Sequence, residues 1–128
     1  MIDYVKWIGL PHVLGEDPDD GRGADCLVLA RKVLLLAGQD CPELNPEWFE
    51  MAARGKWGEL EKEWLQIMEP LDAPCQFAIS MSRNPFTGFN IGVVVDDGLL
   101  IVHHRKGVAW IPLSLVKGNF WRVRRAAI

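Results

Sequence analysis

The residue pattern of this chain changes at Pro70, and that change limits the folds it can adopt. Before Pro70, apolar residues recur at three- and four-residue steps, which is typical of helices with one buried face. After Pro70, short apolar runs are separated by turn residues, which is typical of strands. The predicted helices span residues 25–37, 47–54 and 57–68, and the predicted strands span residues 76–81, 90–95, 99–104, 108–113 and 120–124.

This separation of helices from strands predicts an α+β fold, with N-terminal helices packed on a C-terminal antiparallel β-sheet or meander. Asp96-Asp97-Gly98 lies between two of the predicted strands and indicates a tight hairpin. The 128 residues suffice for one core and predict a single domain, residues 1–128.

Cys26 stands at the start of the first predicted helix, directly after Asp25, which is a favoured N-cap residue. Gly38 offers a C-cap at the other end. The unpaired N–H groups and positive dipole of a helix N-terminus favour a thiolate, so Cys26 is a candidate nucleophile. The alternative is a small buried hydrophobic side chain, because free cysteine is among the most buried residue types.

Net charge and cysteine content limit which classes of protein and which kinds of site are compatible with this chain. The formal net charge is −3, whereas nucleic-acid binders usually carry a basic excess. The three cysteines, Cys26, Cys41 and Cys75, have neither metal-ligand spacing nor the pattern of a disulfide framework, which favours a reducing compartment. We therefore predict no cofactor and no metal. The N-terminal residues do not resemble a signal peptide, and the apolar runs are too short to span a bilayer.

Several stretches, taken in order, resemble the NlpC-type cysteine peptidases, a papain-like family that cleaves peptidoglycan stem peptides. The resemblance is closest to the branch encoded in the tail modules of long-tailed bacteriophages. The stretches are Trp7-Ile8-Gly9-Leu10-Pro11, Gly23-Ala24-Asp25-Cys26-Leu27-Val28-Leu29, Asn90-Ile91-Gly92-Val93-Val94-Val95-Asp96-Asp97-Gly98, Leu100-Ile101-Val102-His103, Gly107-Val108 with Pro112-Leu113, and Phe120-Trp121-Arg122-Val123.

The resemblance implies a catalytic role for Cys26, whose thiolate would attack a peptide carbonyl while a strand histidine acts as its base. The position of that base is matched here by Asn90, and the third polar position by His103 or His104. Asparagine does not titrate near neutrality, so Asn90 cannot take a proton from a thiol. His103 and His104 are adjacent on a predicted strand and are expected to point to opposite faces, so that only one faces Cys26.

The missing base favours a structural role over catalysis. The resemblance then implies a component of a bacteriophage tail tip or baseplate hub, with a degenerate peptidase fold and other tail or baseplate proteins as partners. Such a protein would be assembled in the host cytoplasm and located in the virion tail. Three of the six tryptophans, Trp48, Trp57 and Trp64, lie in or beside the predicted helices after residue 46, and aromatic residues favour interface cores.

Two alternatives stay open. The first is an active peptidoglycan stem-peptide hydrolase with Cys26 as nucleophile and His103 or His104 as base, used in cell-wall penetration or tail assembly. The second is a metal site formed by His12, His103 and His104 with Cys26 or Cys75. We otherwise expect His12 to be a surface residue, and the acidic residues 16–20 to form a solvated loop rather than a cation site.

Overall fold

The computed structural model describes residues 2–84 and 88–125. Over these residues the chain forms three helices and six strands, which confirms the α+β class. The helices are α1 (Cys26–Leu36), α2 (Pro46–Ala53) and α3 (Trp57–Gln66), and the strands are β1 (Met68–Leu71), β2 (Ile79–Asn84), β3 (Gly88–Val95), β4 (Gly98–His103), β5 (Gly107–Pro112) and β6 (Phe120–Val123). Short 3-10 turns occur at Val5–Trp7, Pro18–Asp20 and Leu113–Leu115.

The strands form one antiparallel sheet in the order β1-β6-β2-β3-β4-β5. The predicted meander is present from β2 to β5. Strand β6 does not continue it but pairs with β2 on the side away from β3, and β1 pairs with the other side of β6. Strand β1 was not predicted, because Met68 continued the apolar spacing of the helix before it. Helix α3 instead ends at Gln66, and Met68 is fully buried opposite Val123 of β6.

The turn between β3 and β4 confirms the hairpin predicted from Asp96-Asp97-Gly98. Asp96 and Asp97 have φ values of 52° and 60°, and the pair Val95↔Gly98 closes the hairpin. Two successive residues in the left-handed region are the mark of a type I′ turn, whose twist matches that of the strands. This turn fixes the register of β3 against β4.

The helices pack on one face of the sheet, and alternation along β3 defines that face. Phe89, Ile91, Val93 and Val95 belong to the helix-side core together with the apolar residues of α1. Val94 belongs instead to a small cluster on the opposite face, with Ala78, Leu99 and Phe120. Residues of β3 with the parity of Val94, including Asn90, therefore lie on the face away from α1.

Two of the tryptophans after residue 46 complete the helix-side core. Trp48 of α2 and Trp64 of α3 pack edge to face with ring centroids 5.4 Å apart, and their exposed fractions are 6% and 2%. The Trp48 indole N–H donates to Glu63 at 2.6 Å. Trp57 is half-buried against the same core. Trp48 and Trp64 are thus used within this chain and are not available to the interface for which they were considered.

Candidate functional site

Asp25 fixes the start of α1 as predicted. Its Oδ1 accepts hydrogen bonds from the backbone N–H groups of Leu27 at 2.9 Å and Val28 at 3.4 Å, and its Oδ2 accepts from Gly15 at 3.1 Å. The carboxyl group belongs to a residue only 2% exposed. Burial raises its pKa more than these hydrogen bonds and the charge of His12 lower it.

Cys26 follows at the first helical position and lies against β3. The backbone N–H of Ile91 lies close enough to the sulfur to act on its pKa. Strands β3 and β4 pair only from Val93 to Val95, although β3 begins five residues earlier, at Gly88. The start of α1 therefore lies beside β3 at a point before the ladder pairs that β3 forms with β4.

Burial raises the pKa of Cys26 to about 12, and the charge of Asp25 adds to the rise. The N–H groups of Ile91 and Leu27 act in the opposite direction but are outweighed. Desolvation is the dominant cause because only 9% of the residue is exposed. The thiol form therefore prevails at neutral pH, and the alternative of a small buried side chain describes Cys26 better than an acidic nucleophile does.

A small cavity of about 30 Å³ adjoins Cys26. That volume is well below the roughly 300–1,000 Å³ of typical ligand pockets, so this cavity does not hold a peptide substrate. Its walls are mainly apolar, with one imidazole and one carboxyl group. The lining residues are His12, Leu14, Asp25, Cys26, Leu27, Ala52, Trp57, Leu60 and Phe89.

Position 89, not position 90, supplies the strand side chain that faces this cavity. Phe89 is 4% exposed and packs in the same core as Cys26. Asn90 is half-buried and lies on the opposite face of β3, paired with Ser82 of β2. The structure thus does not bring Asn90 and Cys26 to one site.

His103 and His104 do not point to opposite faces of a strand, so that prediction is wrong. Strand β4 ends at His103, and the two rings stack with centroids 4.4 Å apart and planes 25° from parallel. Leu100 and Val102 of β4 belong to the helix-side core. Because strand side chains alternate between faces, Ile101 and His103 lie on the face away from α1. Neither histidine is among the described residues that line the cavity at Cys26.

His12 is the imidazole that the structure brings to the cavity. The residue is exposed, as expected, but it forms a parallel bridge with Ala24, one residue before Asp25. Its charge lowers the pKa of Asp25. Sequence reasoning missed this placement, because a bridge between two loop residues leaves no spacing or periodicity that could reveal it.

The metal alternative gains no geometric support from the described part of the chain. There, no group of three or more His, Cys, Asp or Glu side chains lies close enough together to hold a metal ion. In the acidic loop, Asp17 and Asp19 bind the Lys32 ammonium at 3.0 and 2.8 Å, and the Trp7 indole N–H donates to Asp19 at 2.9 Å. The loop is therefore bound to α1 through the ion pairs of Lys32, and is not simply solvated.

Comparisons with protein families, with curated proteins and with solved structures found no match to this chain. Across residues 2–84 and 88–125, none of the helices has the length and apolar character needed to cross a membrane.

Proposed function

We propose that this protein is a structural component of a bacteriophage tail tip or baseplate hub, built on a peptidase-like fold whose cysteine centre is closed. The observation that carries the proposal is the state of Cys26, a buried thiol with a pKa of about 12 beside a cavity of about 30 Å³. The assignment to a phage tail rests on the sequence resemblance to the phage branch of the NlpC-type family.

Two requirements of cysteine catalysis are unmet around this thiol. With a pKa of about 12, only about one thiol in 10⁵ is ionised at pH 7. A peptide carbonyl must also come within about 3–3.5 Å of the sulfur, and a cavity of about 30 Å³ is too small to admit a peptide. Phe89 fills the strand position that lines this cavity with a ring that cannot accept a proton.

Exposed apolar side chains offer surface that a neighbouring tail protein could cover. Leu35 and Leu36 at the end of α1 are 44% and 59% exposed. With Val28 and Leu44, and with the charged residues Asp17, Arg31 and Lys32, they border a depression of about 260 Å³ beside that helix. These leucines replace the buried tryptophans as the candidate partner contacts.

The catalytic half of the proposal is tested by incubating the purified chain with peptidoglycan under reducing conditions. We expect no release of stem-peptide fragments, and no difference between the wild type and Cys26→Ala. Release that requires Cys26 would contradict the proposal.

The structural half is tested in the phage that encodes this sequence. We expect peptide mass spectrometry to detect the chain in purified tails, and tails to be lost on deletion of the gene but retained with Cys26→Ala. Normal tails without the protein would contradict the structural role.

One observation favours a second candidate, an active peptidoglycan hydrolase. His12 and Asp25 line the same cavity as Cys26, so an imidazole that could serve as base is already near the thiol. Catalytic hydrogen bonds often form only in the substrate complex, and a displacement of Leu14 or Trp57 would widen the cavity. This candidate requires fragment release that is lost with His12→Ala as well as with Cys26→Ala, and that survives His103→Asn.

A further inference from the structure

The turn between β4 and β5 is held by a histidine ring nitrogen. The Nδ1 atom of His103 accepts hydrogen bonds from the backbone N–H groups of Arg105 at 3.0 Å and Lys106 at 3.1 Å. A ring nitrogen can accept only while it carries no proton. This turn, residues 103–107, therefore requires a neutral His103 whose proton is on Nε2.

The residues that follow place further imidazole and basic side chains at this turn. His104 stacks on His103, and Arg105 and Lys106 come next in the chain. Desolvation, followed by the charges of His103 and Arg105, lowers the pKa of His104. Strands β3 and β5, which flank β4, contain no titratable side chain.

The turn also leads directly into the residues of β5 that pair with the N-terminal segment. The N–H of Gly9 donates to Val108 at 2.9 Å, and the N–H of Val108 donates to Leu10 at 2.8 Å, so residues 9 and 10 pair with the start of β5. Gly107 has a φ of 74°, and a Cβ there would lie 2.1 Å from the Leu10 carbonyl oxygen. The titratable groups that this segment carries on either side of the pairing are Lys6 and His12.

We propose that the turn at residues 103–107 is an acid-sensitive switch. Protonation of His103 at Nδ1 breaks both hydrogen bonds and places positive charge against His104, Arg105 and Lys106. The turn then opens, and the pairing of residues 9 and 10 with Val108 is weakened, while Pro11 and Val13 stay paired with Ala24. This device does not depend on whether Cys26 is catalytic.

The experiment is NMR on the full chain between about pH 7.5 and pH 5. At the upper pH we expect the Nε2-protonated form of His103. As the pH falls, we expect the hydrogen-exchange protection of the Arg105, Lys106, Gly9 and Val108 amides to fall together by at least about tenfold, as befits the loss of two hydrogen bonds. Unchanged protection, or loss confined to Arg105 and Lys106, overturns the proposal.

The matched control is His103→Asn, because an asparagine side-chain oxygen accepts the same backbone N–H groups without titrating. We expect its protection factors to stay constant over this pH range. The same acid loss in the variant would overturn the proposal. Should the variant fail to fold, the wild-type ring decides the matter, since a proton on Nδ1 at about pH 7.5 is incompatible with the switch.

Discussion

The ring of Phe89 and the thiol of Cys26 line the same small cavity, whereas Asn90 lies on the other face of β3. Among the described strand residues, Phe89 is the one whose side chain lines the cavity beside the thiol. Because neighbouring strand residues alternate between faces, a shift of one position separates a group that meets the thiol from one that does not. Which of these two positions meets the thiol determines whether a strand side chain could act as its base.

Phe89→His should place an imidazole beside the thiol and bring the pKa of Cys26 from about 12 down towards that of free cysteine, about 8.5. Asn90→His is the matched control, since it adds the same group on the far face and should leave the thiol unchanged. The pH dependence of Cys26 alkylation, followed by peptide mass spectrometry, measures both. An effect of Asn90→His as large as that of Phe89→His would show that our assignment of the facing position is wrong.

Asp25→Ala should destabilise the protein by about 2–3 kcal/mol. It removes the side-chain acceptor for Leu27 and Val28 and leaves the N–H of Gly15 without its carboxylate partner. Asp25→Asn keeps the acceptor for Leu27 and Val28 but turns an amide NH2 group towards the Gly15 N–H, so it should cost less than Asp25→Ala. Chemical denaturation at neutral pH separates the two, and equal losses would contradict the capping role.

The difference in stability between the wild type and Asp25→Asn should change with pH in a definite direction. The pKa of Asp25 is raised in the folded state, so its contribution to stability is greatest below the unfolded pKa, about 3.9, and is lost as the pH rises through the folded value. Relative to Asp25→Asn, the free energy of unfolding of the wild type should therefore fall between about pH 4 and pH 7. A rise over that range would mean that hydrogen bonding outweighs burial.

Helix α1 was predicted to within one residue at each end, because its signals are local. Asp25 caps the N-terminus, and Gly38, with a φ of 78°, follows the C-cap Ala37. The pairing of Met68 with Val123 was not predictable, because it joins residues far apart in the sequence and Met68 alone fits a helix.

The candidate site was only partly predictable for the same reason. Strand alternation is readable from the sequence, but which parity meets α1 depends on packing, and so does the bridge that brings His12 to Ala24. The position of Cys26 at a helix N-terminus was correct. The burial that reverses the expected effect on its pKa comes from residues throughout the fold.

Leu36→Gln tests the proposed partner surface. Leu36 is 59% exposed, so this change should alter the free energy of unfolding by less than about 0.5 kcal/mol while reducing incorporation into tails. Leu34→Ala, at a residue 3% exposed on the same helix, should instead cost about 2–5 kcal/mol. Denaturation curves and quantitative mass spectrometry of purified tails check both. Full incorporation of Leu36→Gln would exclude this surface as the contact.

Alkaline stability should distinguish the wild type from Cys26→Ala. The folded pKa of the thiol is raised, so its stabilising contribution is complete below the unfolded pKa, about 8.5, and is lost as the pH rises towards about 12. Between about pH 8 and pH 10 the wild type should lose about 1–2 kcal/mol relative to Cys26→Ala. Parallel pH profiles would show that the thiol ionises equally in both states.

The most direct measurement is the pKa of the Cys26 thiol in the intact chain, with the exposed Cys75 as internal reference. Alkylation of each cysteine is followed by peptide mass spectrometry across the pH range. The account predicts a pKa of about 12, with Cys26 reacting far more slowly than Cys75 and still accelerating beyond about pH 10. A plateau reached below about pH 8 would reveal an activated nucleophile and contradict the closed, non-catalytic centre.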